Sequence, residues 1–156
     1  MSTKLTIVLA AAGTLVVLLL AGNLVLRPAR RASTVAESDP AYRHMLAMLD
    51  DKCQQCHSSR APLPYYGGLP GVAGLIAGDR ARACRAFDLD AELPPSSSGP
   101  VPVGTLAKLE AAALGERMPP LRYRALHLNA MLNRAEAADL VQWAEYERQR
   151  QPTPTR

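Results

Sequence analysis

Residues 5–26 read LTIVLAAAGTLVVLLLAGNLVL, a run of 22 residues without a charged side chain. As a helix such a run is about 33 Å long, enough to cross the roughly 30 Å hydrocarbon layer of a bilayer. A cleaved secretory leader has a shorter apolar region, of about 7–15 residues, that ends in a small-residue A-x-A-like site. Neither feature fits this run. Ala21, Gly22 and Asn23 resemble the end of a lipoprotein leader, but Asn23 stands where the lipidated cysteine would be. The expectation is an uncleaved transmembrane helix over 5–26, which leaves residues for one further core.

That core is not an ordinary one. The formal net charge of +4 comes from scattered arginines, with no run of like charges and few aromatics between them, so nucleic acid is not an expected partner. The aromatic fraction is 4%, low for a small domain, and a large flat prosthetic group would supply the missing bulk. The three cysteines, at 53, 56 and 84, are an odd number and make no disulfide framework. Cys84 is left over and carries no assigned function.

Residues 27–39 are polar, contain Pro28 and several Ser/Thr, and read as a tether. The domain is expected over 40–150, with 151–156 as a disordered tail. Tyr42, Leu46, Leu49 and Cys53 recur at helical spacing behind Pro40, so one helix should run into the cysteines. Prolines and the Gly67-Gly68 pair make residues 58–70 a loop. Val72, Leu75 and Ile76 give a second helix one apolar face, and LPPSSSGPVP, residues 93–102, is a loop by composition. Thr105 is the expected N-cap of a helix carrying Leu106, Leu109, Ala113 and Leu114, with Gly115 as its stop. Asn133 followed by Glu136 is a capping signature for a last helix carrying Leu140, Val141 and Ala144 inward. With no period-2 strand, the fold class is all-α: a small cytochrome-c-like helical domain with long loops behind one transmembrane helix. A core so small is marginal without help.

Cys53-Gln54-Gln55-Cys56-His57 is the C-x-x-C-H pattern of covalent haem attachment. Positions i and i+3 share a helix face, so both sulfurs can meet one porphyrin edge as thioethers while His57 turns its imidazole to the iron. A thioredoxin-like pair would want a βαβ setting, and a zinc site would want a second Cys/His pair at ligand spacing; neither is present. The sixth ligand decides between electron transfer and small-molecule chemistry. Its candidates are Met45, Met48, Met118, Met131, His44 and His127. The first two methionines and His44 lie on the helix of the cysteines and cannot easily reach the opposite haem face. Met131 sits between Leu128 and Leu132, where core packing is expected. Met118 lies in an E-R-M-P-P loop whose prolines fix the backbone that aims its sulfur, and it is the favoured ligand. The iron ligands are thus expected to be His57 and Met118. Tyr65 and Tyr66 are candidates for packing on the haem edge, with ordinary core filling as the equal alternative. Arg117, Arg122 and Arg124 flank the methionine, and one of them could pair with a propionate.

Together KCQQCHSS, LPYYGGLPG, Phe87-Asp88-Leu89 and ERMPPLRYRALH, followed by a helix with Trp143, resemble the N-terminal haem domain of membrane-anchored tri-haem bacterial cytochrome c peroxidases. The resemblance covers roughly residues 42–150. It implies one His/Met haem c, held through Cys53, Cys56, His57 and Met118, passing electrons from the quinol pool or another donor toward a peroxidase module. Tyr123 and His127 match the motif without a derived role. In that family two further haem domains follow, so peroxidase catalysis is not expected of this chain, and no residue is assigned as catalytic. The expected partner is a redox protein, a di-haem cytochrome c peroxidase among the candidates. The alternatives are a haem enzyme or gas sensor with an open iron position, and an accessory subunit of a respiratory complex. The haem domain is expected in the periplasm of a bacterial inner membrane, where haem is joined to C-x-x-C-H. Arg27, Arg30 and Arg31 behind the helix argue for the opposite orientation by the positive-inside tendency, and the attachment motif outweighs them.

Overall fold

The structure is a computed structural model, and it describes residues 3–25, 39–94, 99–115, 118–125 and 127–151. Eight helices follow one another among them: α1 Thr3–Val25, α2 Pro40–Lys52, α3 Gln54–His57, α4 Ala73–Ala86, α5 Leu89–Glu92, α6 Val103–Leu114, α7 Leu121–Arg124 and α8 Arg134–Gln149. No strand occurs among the described residues, so the fold is all-helical as expected. The apolar helix α1 is long enough to cross a membrane, and its apolar window, Thr3–Gly22, is not buried against the rest of the chain. The tether, the PPSSS segment, Arg117 and the tail lie in whole or in large part outside the described residues.

The core forms where α2, α6 and α8 meet. Leu49, Leu106, Leu140 and Ala144 are fully enclosed, with Tyr42, Trp143, Phe87, Leu89 and Leu93 around them. Helices α2 and α8 start where the sequence offers a cap. Asp39 Oδ1 accepts the Ala41 amide at 2.9 Å, and Pro40 occupies the first turn, where its missing N–H costs nothing. Asn133 and Glu136 close a reciprocal capping box at 2.9 and 2.8 Å. Asp39 also accepts from the Tyr146 hydroxyl and from Arg150, which ties the start of α2 to the end of α8.

Three expectations need correction. Thr105 does not cap α6: the helix begins at Val103 behind Pro102, and the Thr105 hydroxyl donates to Glu92 Oε2 at 2.7 Å instead. The apolar face foreseen for α4 is not buried, and Leu75 is 65% exposed. Met131 is exposed rather than packed in the core, with Arg124 Nη1 3.5 Å from its sulfur. In α4 helical spacing was present without an opposing element to bury it.

Candidate functional site

Helix α2 ends at the first cysteine. The Cys53 amide still donates to Leu49, at 2.7 Å, but Cys53 itself is a turn residue, and a new helical turn begins with His57 N–H donating to the Cys53 carbonyl at 2.9 Å. The single expected helix is therefore α2 and α3 joined at Cys53, and the i, i+3 relation of Cys53 and Cys56 survives the joint. Cys53 and Cys56 are free thiols. Loss of solvation pushes the Cys53 thiol up to about 12, with Cys56 and Asp50 adding to it, and raises Cys56 in the same way. Both sulfurs are protonated at neutral pH. His57 Nδ1 lies 2.9 Å from the Phe87 carbonyl oxygen, which can only accept, so Nδ1 carries the proton and Nε2 keeps its lone pair.

Beside this turn lies a cavity of about 370 Å³ with largely apolar walls. Cys53, Cys56 and His57 line one part. Met118, Pro119 and Pro120 line another, and Leu49, Leu109, Leu132 and Leu140 contribute apolar wall. The methionine loop arrives there because α6 stops at Gly115 and Pro120 opens α7, where the Tyr123 amide donates to the Pro120 carbonyl at 2.9 Å. Tyr123 also lines the cavity and clamps the two parts together: its hydroxyl donates to Gln55 Oε1, inside the cysteine turn, at 2.7 Å.

Behind Tyr123 stands His127, its ring stacked on the tyrosine at 3.9 Å and 7°. Burial pulls His127 down to about 4, so the imidazole is neutral, and its Nε2 shares a hydrogen bond with the Tyr66 hydroxyl. Burial pushes Tyr66 up to about 12 and raises Tyr123 as well, which keeps both hydroxyls protonated. Tyr66 is in turn edge-on to Tyr65, with centroids 5.2 Å apart.

The structure thus brings Cys53, Cys56, His57 and Met118 to one cavity, and it does not bring Tyr65 or Tyr66 there. Tyr66 supports His127, and Tyr65 faces α1. Of the six candidate sixth ligands only Met118 lines the cavity; Met45 and Met48 are core residues and His127 is held by the two tyrosines. Arg122 is paired with Asp79, at 2.5 Å. The cations that do line the cavity were not singled out in the sequence: Lys52, which donates to the Asn129 carbonyl at 2.9 Å, and Lys108, 2.7 Å from Glu92. Lys108 gave no signal of its own, since its place at the cavity depends on how α6 packs.

Two free sulfurs at i, i+3, an imidazole with an open Nε2, a thioether, apolar walls and two ammonium groups are a donor set and a surface that fit a haem with its carboxylates. The chain matches the haem-binding domain family over residues 16–146. It is 32% identical over 120 residues to the N-terminal region of cytochrome c peroxidase Ccp from Escherichia coli strain K12, an alignment covering 76% of this chain and 25% of that protein. The chain thus spans about a quarter of the length of the relative it matches. No solved structure matches it. With the cysteine turn, the methionine loop and the cavity between them all inside the matched residues, the chain belongs to the haem-binding domain family.

Proposed function

We propose that this chain is a membrane-anchored mono-haem c-type cytochrome that carries electrons and does not turn over a substrate. Cys53 and Cys56 form the thioethers, and His57 and Met118 are the axial ligands. One observation carries the reading: four side chains of the right chemistry, from segments far apart in sequence, line a single apolar cavity.

The haem supplies reversible one-electron chemistry, and the protein's own groups set its terms. The Phe87 carbonyl fixes the His57 ring and makes it a better donor through Nε2. Pro119 and Pro120 restrict the backbone on which Met118 is carried. With His57 and Met118 both holding the iron, the Met118 thioether would favour the reduced form and raise the potential, and the chain would offer peroxide no open position. The apolar walls exclude water, which limits reorganisation around a changing charge. Helix α1 serves as the anchor, the domain over 40–150 lies on the periplasmic side, and the electrons pass from quinol or another donor to a redox protein. The relative's name, cytochrome c peroxidase, makes a peroxidase the acceptor to test first.

The test is a spectrum of the reduced chain with and without carbon monoxide. The expected result is a low-spin c-type spectrum unchanged by the gas, a far-red methionine-to-iron band in the oxidised form, and loss of that band in Met118→Ala with a lower potential and new carbon monoxide binding. A band that survives Met118→Ala moves the ligand elsewhere. Peroxide reduction by the chain alone at an enzyme-like rate would overturn the carrier reading.

A further inference from the structure

We propose that the loop from Pro62 to Pro70 is a lipid-docking surface, which seats the domain against the outer face of the same bilayer that α1 crosses. The inference rests on α1 being a retained anchor. Three observations carry it.

The first is contact with α1. The Tyr65 hydroxyl donates to the Leu19 carbonyl at 2.7 Å, and its ring lies so close to Gly22 that a Cβ there would sit 2.6 Å from the hydroxyl oxygen. Leu19 lies more than a turn before the end of α1 at Val25. At about 1.5 Å per residue that places the Tyr65 hydroxyl about 9 Å below the end of the helix, within the apolar run. A loop that reaches this depth along a spanning helix has passed the headgroup boundary and put its tip several ångströms into the acyl layer. Tyrosine suits that boundary, with an apolar ring and a polar tip.

The second is what the loop shows to solvent. Leu63, Tyr65 and Leu69 are 48%, 44% and 49% exposed, and the chain beyond them adds Leu75 at 65%. Four large apolar side chains from one short stretch are left without cover by the domain, next to a helix made to sit in lipid. Exposed Arg60 at the start of the loop adds positive charge beside these side chains, which suits anionic headgroups.

The third is that the loop is braced. Arg80 of α4 donates to the Gln55, Ala61 and Pro62 carbonyls at 2.8–3.2 Å, and Ser58 donates to Asp90 at 2.6 Å. Apolar side chains held outward by a braced loop lose little freedom on entering a membrane. Because Gln55 belongs to the cysteine turn, the same bracing fixes the angle at which the haem site meets the bilayer.

The test uses the full haem-loaded chain in vesicles of phosphatidylethanolamine and phosphatidylglycerol. A nitroxide is placed at Leu63→Cys, at Leu69→Cys or, as a control, at exposed Ala107→Cys, all in a Cys84→Ser background. Each variant is first checked for its haem spectrum. Alkaline carbonate extraction should leave every variant in the vesicles; release would overturn the retained anchor and the docking surface with it. Collision with molecular oxygen should then exceed collision with a water-soluble nickel chelate at 63 and 69, and the order should reverse at 107. Retention in the membrane with chelate access at 63 and 69 equal to that at 107 would overturn the docking surface while leaving the anchor intact. Protection accompanied by spin–spin broadening that disappears on dilution with unlabelled chain would make a second copy the occupant, and would equally overturn it.

Discussion

The domain has two sides held in different ways. On one, α2, α6 and α8 enclose Leu49, Leu106, Leu140 and Ala144, and the helices are fixed by apolar burial, with side-chain caps opening α2 and α8. On the other, α4 and α7 bury none of their residues, and polar straps tie them down: Arg80 to three carbonyls, Asp79 to Arg122, Tyr123 to Gln55. The cavity lies between the two sides, walled by α2, α6 and α8 on one and by Ala86 of α4 and Tyr123 of α7 on the other, with Met118 half exposed at its wall. The difference teaches that apolar burial is the scaffold, and that the strapped side is completed by the group it binds.

The largest effect should come from removing the attachment. In Cys53→Ala or Cys56→Ala most of the haem-bearing protein should be lost, because a small core depends on a covalently held group. Cys84→Ala should accumulate normally, since Cys84 makes only a weak contact to the Cys56 carbonyl at 3.5 Å. Haem staining on a denaturing gel measures all three; equal staining would remove the strapped side's dependence on the haem. Next comes the scaffold itself. Leu106 is fully buried and lies outside the cavity wall, so Leu106→Ala should cost about 3 kcal/mol in denaturant unfolding while the haem spectrum stays unchanged up to the transition.

How far the sequence reaches follows the same division. Helices α2 and α8 were legible because apolar spacing coincided with a start signal, Pro40 in the first turn and the Asn133–Glu136 box. Helix α5 was missed: four residues hold no period, and it starts where Asp88 caps the Asp90 amide at 3.0 Å. Thr105 has the chemistry of a cap but bonds to Glu92, a tertiary partner that spacing does not reveal. Cys53, Cys56, His57 and Met118 could be picked out because each belongs to a local pattern with its own chemistry. Lys52 and Lys108 could not, since nothing local separates a cavity lysine from a solvated one. The roles of Tyr123 and His127 needed the third dimension, where one clamps the cysteine turn and the other stacks behind it.

A smaller change should separate the straps from the scaffold. Tyr123→Phe keeps the stack on His127 and removes only the hydroxyl that reaches Gln55. A neutral hydrogen bond is worth about 1 kcal/mol, so the unfolding midpoint should move little. Amide exchange in α7 should quicken, and the methionine-to-iron band should weaken as the Met118 loop gains freedom. A large drop in global stability with an unaltered band would show that Tyr123 belongs to the scaffold instead.

The smallest effect is expected at Asp79. Its carboxylate receives Arg122 through Nη2 at 2.5 Å and Nε at 3.1 Å, with Arg82 also paired to it, and the Arg122 hydrogen bond above all holds the carboxyl below its ordinary value of 3.8. A depressed acid of this kind stabilises the folded chain fully above its unfolded pKa, and the contribution fades as pH falls through 3.8 toward the folded value. Arg122 is 62% exposed, so solvent screens the pair and its worth should stay below about 1 kcal/mol. Asp79→Asn should therefore speed exchange in α7 at neutral pH, leave unfolding almost unchanged, and remove the part of the acid sensitivity that belongs to this strap; raised salt should mimic it in the unaltered chain. If Asp79→Asn cost as much as Leu106→Ala, polar straps and apolar burial would be contributing alike, and the division between the two sides of the domain would fail.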